Sequence, residues 1–188
     1  MKQNRTLVVG FAFVAFSVLS TLVGWLWTPY DPLEMNPDVS FARPSMSHLL
    51  GTDVFGRDVL SNIMIGARST LVVALVSVLI GVVLGSVVGV ATALAPAKVR
   101  QLSVFGIDIV LALPSVLFAI VLAAVYGAST LTATIAIGIA LSAAIAQVTR
   151  RETSQVLRSD YVAAAKVSGS GTWQIIRLHV LPNILPSL

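Results

Sequence analysis

Asp53, Arg57 and Asp58 lie in one short run, Leu50-Gly51-Thr52-Asp53-Val54-Phe55-Gly56-Arg57-Asp58-Val59-Leu60-Ser61. Opposite charges at that spacing can pair, and Gly51 and Gly56 permit tight turns. The group forms either a local salt-bridged cap or a contact with a partner or a gate. Asp108 is the one carboxylate inside a long apolar stretch. A charge in hydrocarbon costs a few kcal/mol, so Asp108 either faces a polar path and acts in gating, or snorkels to the interface and pairs with Arg100 or a neighbouring subunit. Pro114, further along the same stretch, interrupts the helical hydrogen-bond ladder and predicts a kink. His48 and His179 are too few and too far apart for a metal site, and His179 reads as an interface residue. Serine and histidine show no spacing for a nucleophile and its base. There is no cysteine, which removes disulfides, thiolate metal sites and a thiol nucleophile. The chain also has no Gly-x-x-x-x-Gly-Lys-Ser/Thr loop to cradle a phosphate. These residues do not assemble into an enzyme.

The elements that must position them are built for lipid. Of 188 residues, 56% are hydrophobic and 11% charged, and the mean hydropathy is +0.93, outside the range of soluble domains. An all-α, polytopic transmembrane bundle follows. Four stretches approach or exceed the roughly 20 residues needed to span a bilayer: Leu7 to Trp27, Thr70 to Ala95, Leu102 to Val125 and Ser129 to Val148. The first follows Lys2 and Arg5, as a secretory signal would, but its length and closing Trp25 and Trp27 favour a retained anchor. If the spans alternate, Lys2, Arg5, Lys98, Arg100, Arg150, Arg151, Arg158, Lys166 and Arg177 share one side, which should be cytoplasmic and hold the N-terminus. The opposite side receives the segment from Thr28 to Ser69, where Asp31, Glu34, Asp38, Asp53 and Asp58 outnumber Arg43, Arg57 and Arg68. The net charge of +4 is therefore topological and does not argue for nucleic acid. Residues 1–69 divide off as an anchor and external loop, and 70–188 as the main transmembrane region. The prolines at 29, 32, 37 and 44 predict extended, turn-rich backbone before a short helical segment that leads into the second span.

Gly81, Gly85, Gly89 and Ala93 recur every fourth residue and make a smooth face on which another helix can pack closely. Thr132, Ala136, Ala140 and Ala144 form a similar stripe, so the second and fourth spans are expected to pack together or against a partner subunit. From Thr149 to Pro182 the chain turns polar. Ser159 or Asp160 can cap a helix from Tyr161 to Ser168, Gly169-Ser170-Gly171 breaks it, and Thr172 can cap a second helix that Pro182 ends. The small Ala163-Ala164-Ala165 surface, with Tyr161 and Trp173 as aromatic anchors, suits docking of a partner.

This segment resembles the EAA loop of permease subunits of bacterial ATP-binding-cassette importers, with Ala163-Ala164-Ala165 at the triplet, Gly169 at the glycine and Leu181-Pro182 at the end. Ala163 departs from the acid that names the motif. The Leu50 to Ser61 run with Gly66-Ala67-Arg68, and Asp108 through Pro114, resemble the C-type permease of dipeptide, oligopeptide and nickel importers. The resemblance implies the type I importer permease fold, here four spans and the start of a fifth at Asn183, with two further spans usual after the EAA loop. It implies a multi-pass protein of the bacterial inner membrane that lines a path for di- or oligopeptides, or for nickel or another small solute. Its implied partners are a sibling permease, an extracytoplasmic solute-binding protein and cytoplasmic ATPases, which bind ATP and Mg²⁺ and are engaged by the EAA-like loop. This chain itself would hold no cofactor. If Leu188 ended the chain, a noncatalytic scaffold would be the alternative.

Overall fold

The computed structural model describes residues 2–187, so Leu188 lies outside the described residues. The described chain is helical: α1 (Lys2–Leu26), a 3₁₀ turn (Pro37–Val39), α2 (Val59–Leu94), α3 (Ala97–Ala112), α4 (Ser115–Tyr126), α5 (Thr130–Val156), α6 (Asp160–Val167), α7 (Thr172–Ile175), a π-turn (Ile176–Val180), α8 (Leu181–Ile184) and a closing 3₁₀ turn (Leu185–Ser187). Three helices, α1, α2 and α5, are long and apolar enough to cross a membrane, and α3 with α4 make a fourth candidate if the bent pair is one span. The chain is therefore a multi-pass membrane protein of the all-α class. It forms two compact units that part between Val73 and Ala74.

In the first unit, α1 and the start of α2 meet at Gly24, where a Cβ would lie 3.1 Å from the Cβ and carbonyl oxygen of Met64. The Arg68 guanidinium sits 4.8 Å from the centre of the Trp25 ring, an attractive cation–π placement. The short helix expected ahead of the second span is continuous with it, making α2 36 residues long. At about 1.5 Å per residue that is about 54 Å, well beyond a hydrocarbon core of about 30 Å. Asp58 makes this early start possible, because its carboxylate accepts from the Ser61 N–H at 2.8 Å and caps the first turn.

In the second unit, α2 packs on α5. A Cβ at Gly85 would stand 2.6 Å from the Ser142 carbonyl and 2.7 Å from the Ile145 Cβ, and one at Gly89 would stand 2.6 Å from the Thr149 Cβ. At Gly81 the nearest atom would be the Leu141 Cβ, at 3.0 Å. The facing residue that mirrors these is Gly138, pressed against Ile80. The face that α5 turns to α2 carries Gly138, Leu141, Ser142, Ile145 and Thr149, offset from the expected Thr132, Ala136, Ala140, Ala144 stripe, of which Thr132 and Ala136 are buried and Ala144 is exposed. Ser77 donates its buried hydroxyl to the Thr134 carbonyl across the same contact, at 3.0 Å.

α3 seats Ile107 against Ala143 and Ala146 of α5. The stretch expected as one kinked span from Leu102 to Val125 is two helices that meet at 91°. Leu113, held extended (φ −85°, ψ 128°) ahead of Pro114, ends α3, because proline disfavours α geometry in the residue before it. Pro114 then caps α4, none of whose residues is buried.

Candidate functional site

Two places gather most of the residues singled out above, the loop before α2 in the first unit and the segment after α5 in the second. In the loop before α2, Gly51 (φ +76°) and Gly56 (φ +73°) adopt left-handed backbone. A side chain at Gly51 would collide with the Ala42 carbonyl, and one at Gly56 with the Asn36 carbonyl. These turns fold the run back on itself, so Asp53 accepts from the Phe55 N–H at 2.8 Å, the Arg57 N–H at 3.0 Å and the Arg57 Nε at 2.9 Å. Thr52 locks the fold from the other side by donating its hydroxyl to the Val39 carbonyl. The Arg57 guanidinium also lies 4.8 Å from the centre of the Phe55 ring.

Asp58 does not join that ion pair, contrary to the cap expected from sequence. It is 3% exposed, and its two oxygens serve different partners: Oδ2 accepts from the Ser61 N–H and hydroxyl, both at 2.8 Å, and Oδ1 meets His48 Nδ1 at 3.1 Å. Tyr30 lies against the His48 ring with centroids 4.6 Å apart and donates its N–H to Ser61 Oγ at 3.1 Å. His48 is thus a structural partner of Asp58 that sequence reasoning missed. No fixed spacing links it to Asp58, and only the chain reversal at Gly51 and Gly56 brings them together.

Burial alone would raise the Asp58 carboxyl, but the Ser61 N–H, the Ser61 hydroxyl and the His48 ring hold it below the ordinary aspartate range. Burial likewise raises Asp53, and the Arg57 and Phe55 N–H groups and the Arg57 guanidinium outweigh it. A carboxyl whose folded value is lowered stabilises the fold fully above the unfolded value of about 3.9, and that stability is lost as pH falls through the folded value. The loop is therefore expected to lose amide-exchange protection below about pH 4. Asp58→Ala should cut that protection at neutral pH by roughly ten- to hundredfold, the worth of a desolvated group left unpaired, and should blunt the acid response. Hydrogen exchange of residues 28–61, referenced to intrinsic rates at each pH, checks both.

The second place is the segment after α5. Ser159 precedes α6 without a side-chain cap, its hydroxyl donating instead to the Val156 carbonyl at 2.6 Å. At the other end Gly169 takes φ +88°, with Ser170 N–H donating to the Ala165 carbonyl and Gly169 N–H to the Lys166 carbonyl, each at 3.0 Å. That pair of bonds is a Schellman stop, which requires a left-handed residue at Gly169. The following helix, α7, starts at Thr172 with Gly171 in the cap position and no side-chain cap, so Thr172 is not the cap expected from sequence. Pro182 does not end it: the chain continues through the π-turn into α8, where Pro182 stands in the first turn.

Val162, Ile175, Val180 and Ile184 form a core with Val156 at the end of α5. This pins the segment and leaves Ala163 and Ala164 exposed, Ala165 half-buried, Tyr161 exposed and Trp173 71% exposed. The Tyr161 and His179 rings lie 5.7 Å apart. The structure thus groups Tyr161, Ala163, Ala164, Ala165, Gly169, Trp173, His179 and Pro182 in one folded segment. Asp108 is elsewhere, exposed on α3 in a depression it shares with Lys98, Gln101 and Phe105. Among the described residues it makes no ion pair with Arg100. No group of three or more histidines or carboxylates is placed to hold a metal ion among the described residues.

Residues 81–188 match the family model described as "Binding-protein-dependent transport system inner membrane component". The chain is 35% identical to the di/tripeptide transport system permease protein DppC of Pseudomonas aeruginosa, over 99% of its own length and 63% of that protein's. It is 34% identical to the dipeptide transport system permease protein DppC of Escherichia coli, covering 100% of this chain and 64% of the relative. With the Haemophilus influenzae protein of the same description the identity is 30%, over 100% and 65%. The chain therefore spans a little under two thirds of the length of these relatives.

Proposed function

Because the chain belongs to the family of binding-protein-dependent transport system inner membrane components, we propose that it is a permease subunit of an ATP-driven importer that helps to line a membrane path for di- or oligopeptides. The peptide class is supported by the names of the relatives, which are dipeptide and di/tripeptide permeases. Residues 149–182 are the coupling segment. ATP and Mg²⁺ are held by separate cytoplasmic ATPases, a sibling permease completes the path, and an extracytoplasmic binding protein delivers the solute. The N-terminus and the coupling segment are cytoplasmic, in accord with the distribution of Lys and Arg along the sequence. The loop around Asp53 and Asp58 faces the other side.

The single observation that carries the coupling role is the construction of this segment: a small-residue surface at Ala163 and Ala164 faces outward while Val162 beneath it is wholly buried against Val156 of α5. Force applied to α6 by an ATPase passes through Val162 into α5. From α5 it reaches α2 through the Gly81, Gly85, Gly89 seam and α3 through Ile107. ATP binding can shift the path between inward- and outward-facing states only by contacts that differ between them, and this surface is where those contacts are made.

The chain has no native cysteine, so Ala164→Cys is a clean probe. Paired with a cysteine engineered in the ATPase groove, it is expected to crosslink several-fold faster in one nucleotide state than in the other. Rates independent of nucleotide would remove the coupling role.

A further inference from the structure

Ile175, Val180 and Ile184 are 3%, 0% and 1% exposed and share one core. Five residues of α-helix turn through about 500°, so Ile175 and Val180 would point well apart on an uninterrupted α-helix. They face the same core because Ile176–Val180 is a π-turn, in which the Leu181 N–H donates to the Ile176 carbonyl five residues back. The residues that follow suit this register. Pro182 has no N–H to extend an α ladder. The Asn183 side-chain amide donates to the His179 carbonyl at 2.7 Å, occupying an acceptor at the end of the π-turn.

We propose that Pro182 and Asn183 are positioning residues that hold Ile176–Val180 in the π register and thereby set the rotation of the coupling segment against the end of α5. A slip to the α register would swing Val180 or Ile175 out of the core, so the segment has two discrete arrangements and not a continuum. Its consequence for transport rests on the coupling role proposed above, whereas the register itself can be read without any ATPase.

Val180→Cys in the otherwise cysteine-free, membrane-embedded chain is the gauge, read by the rate of labelling with a membrane-permeant maleimide. The thiol is expected to be shielded in the parent. Adding Pro182→Ala, which restores a backbone donor to the α register, or Asn183→Asp, which keeps the size and loses the donor, should accelerate labelling by about tenfold, the scale of one hydrogen bond gained by the α register or lost from the π register. Asn183→Ser should keep it slow, because a serine hydroxyl can donate to the carbonyl four residues back. Val162→Cys, in the same core but on α6, should stay shielded throughout. Equal labelling of Val180→Cys in all four backgrounds overturns the proposal, as does acceleration of both reporters together, which would mean that the core has simply opened. If the register behaves as expected while the Ala164 crosslink ignores nucleotide, the coupling role falls and the register assignment stands.

Discussion

Gly85→Val is expected to separate α2 from α5 and to destabilise the second unit strongly. The first added carbon would stand 2.6 Å from the Ser142 carbonyl oxygen and 2.7 and 2.8 Å from the Ile145 Cβ and Cγ2. The nearest of these atoms is backbone, so no rotamer change relieves the clash, and the helices must move apart. Overpacking of this kind costs about 1–3 kcal/mol, and here it also disturbs the bond from Ser77 to the Thr134 carbonyl in the same seam. Gly85→Ala should already show most of the loss, since the Cβ alone makes the collision. Gly106→Ala, on α3, is the control: nothing lies within 4 Å of its Cβ position, and it should be neutral or slightly stabilising, as alanine is the better helix former by about 0.5–1 kcal/mol. Thermal unfolding of the detergent-solubilised protein reads both variants. A Gly85→Val protein that melts with the parent would show that the α2–α5 contact does not stabilise the solubilised protein.

The second large effect is expected at Gly169. Its φ of +88° closes the Schellman stop after α6, and a β-branched side chain there is strained by roughly 1–3 kcal/mol. The space around it is open, with nothing within 4 Å of a Cβ, so the cost is one of backbone conformation alone. Gly169→Val should therefore leave the α2–α5 seam and membrane insertion intact while shifting the turn that joins α6 to α7. On the coupling role proposed above, association with the partner ATPases should weaken by about tenfold or more, since each 1.4 kcal/mol is a factor of ten. Gly169→Asn, which tolerates left-handed backbone better, should recover much of the loss. Co-purification in mild detergent, with insertion checked separately, measures it. Full association by the valine variant would show that the stop is not needed for docking.

Much of this was legible before any fold was known. A chain this apolar must satisfy its backbone within helices, so the all-α membrane class follows from composition, and the long apolar runs locate α1, α2 and α5 to within a turn or two, apart from the early start of α2 and the late end of α5. The break at Gly169 was readable because few residues other than glycine enter left-handed backbone readily. The small-residue face at Gly81, Gly85 and Gly89 was readable because close helix approach excludes larger side chains.

What the chain order alone left undecided depends on contacts between distant residues or on exact helical phase. Pro114 announced a kink, but whether the bend would be slight or 91° depends on where the flanking helices seat, and α3 and α4 each lie against α5. Asp58 looked like a third member of an ion-paired cap. Its cap on α2 is a local contact with Ser61, three residues on, but its pairing with His48 exists only because Gly51 and Gly56 fold the intervening run back on itself. Pro182 read as a helix stop, since proline cannot donate to the ladder. The tertiary core decided otherwise: seating Ile175, Val180 and Ile184 on Val156 requires a five-residue step in the helix, and a π-turn ahead of a proline supplies that step while the helix continues.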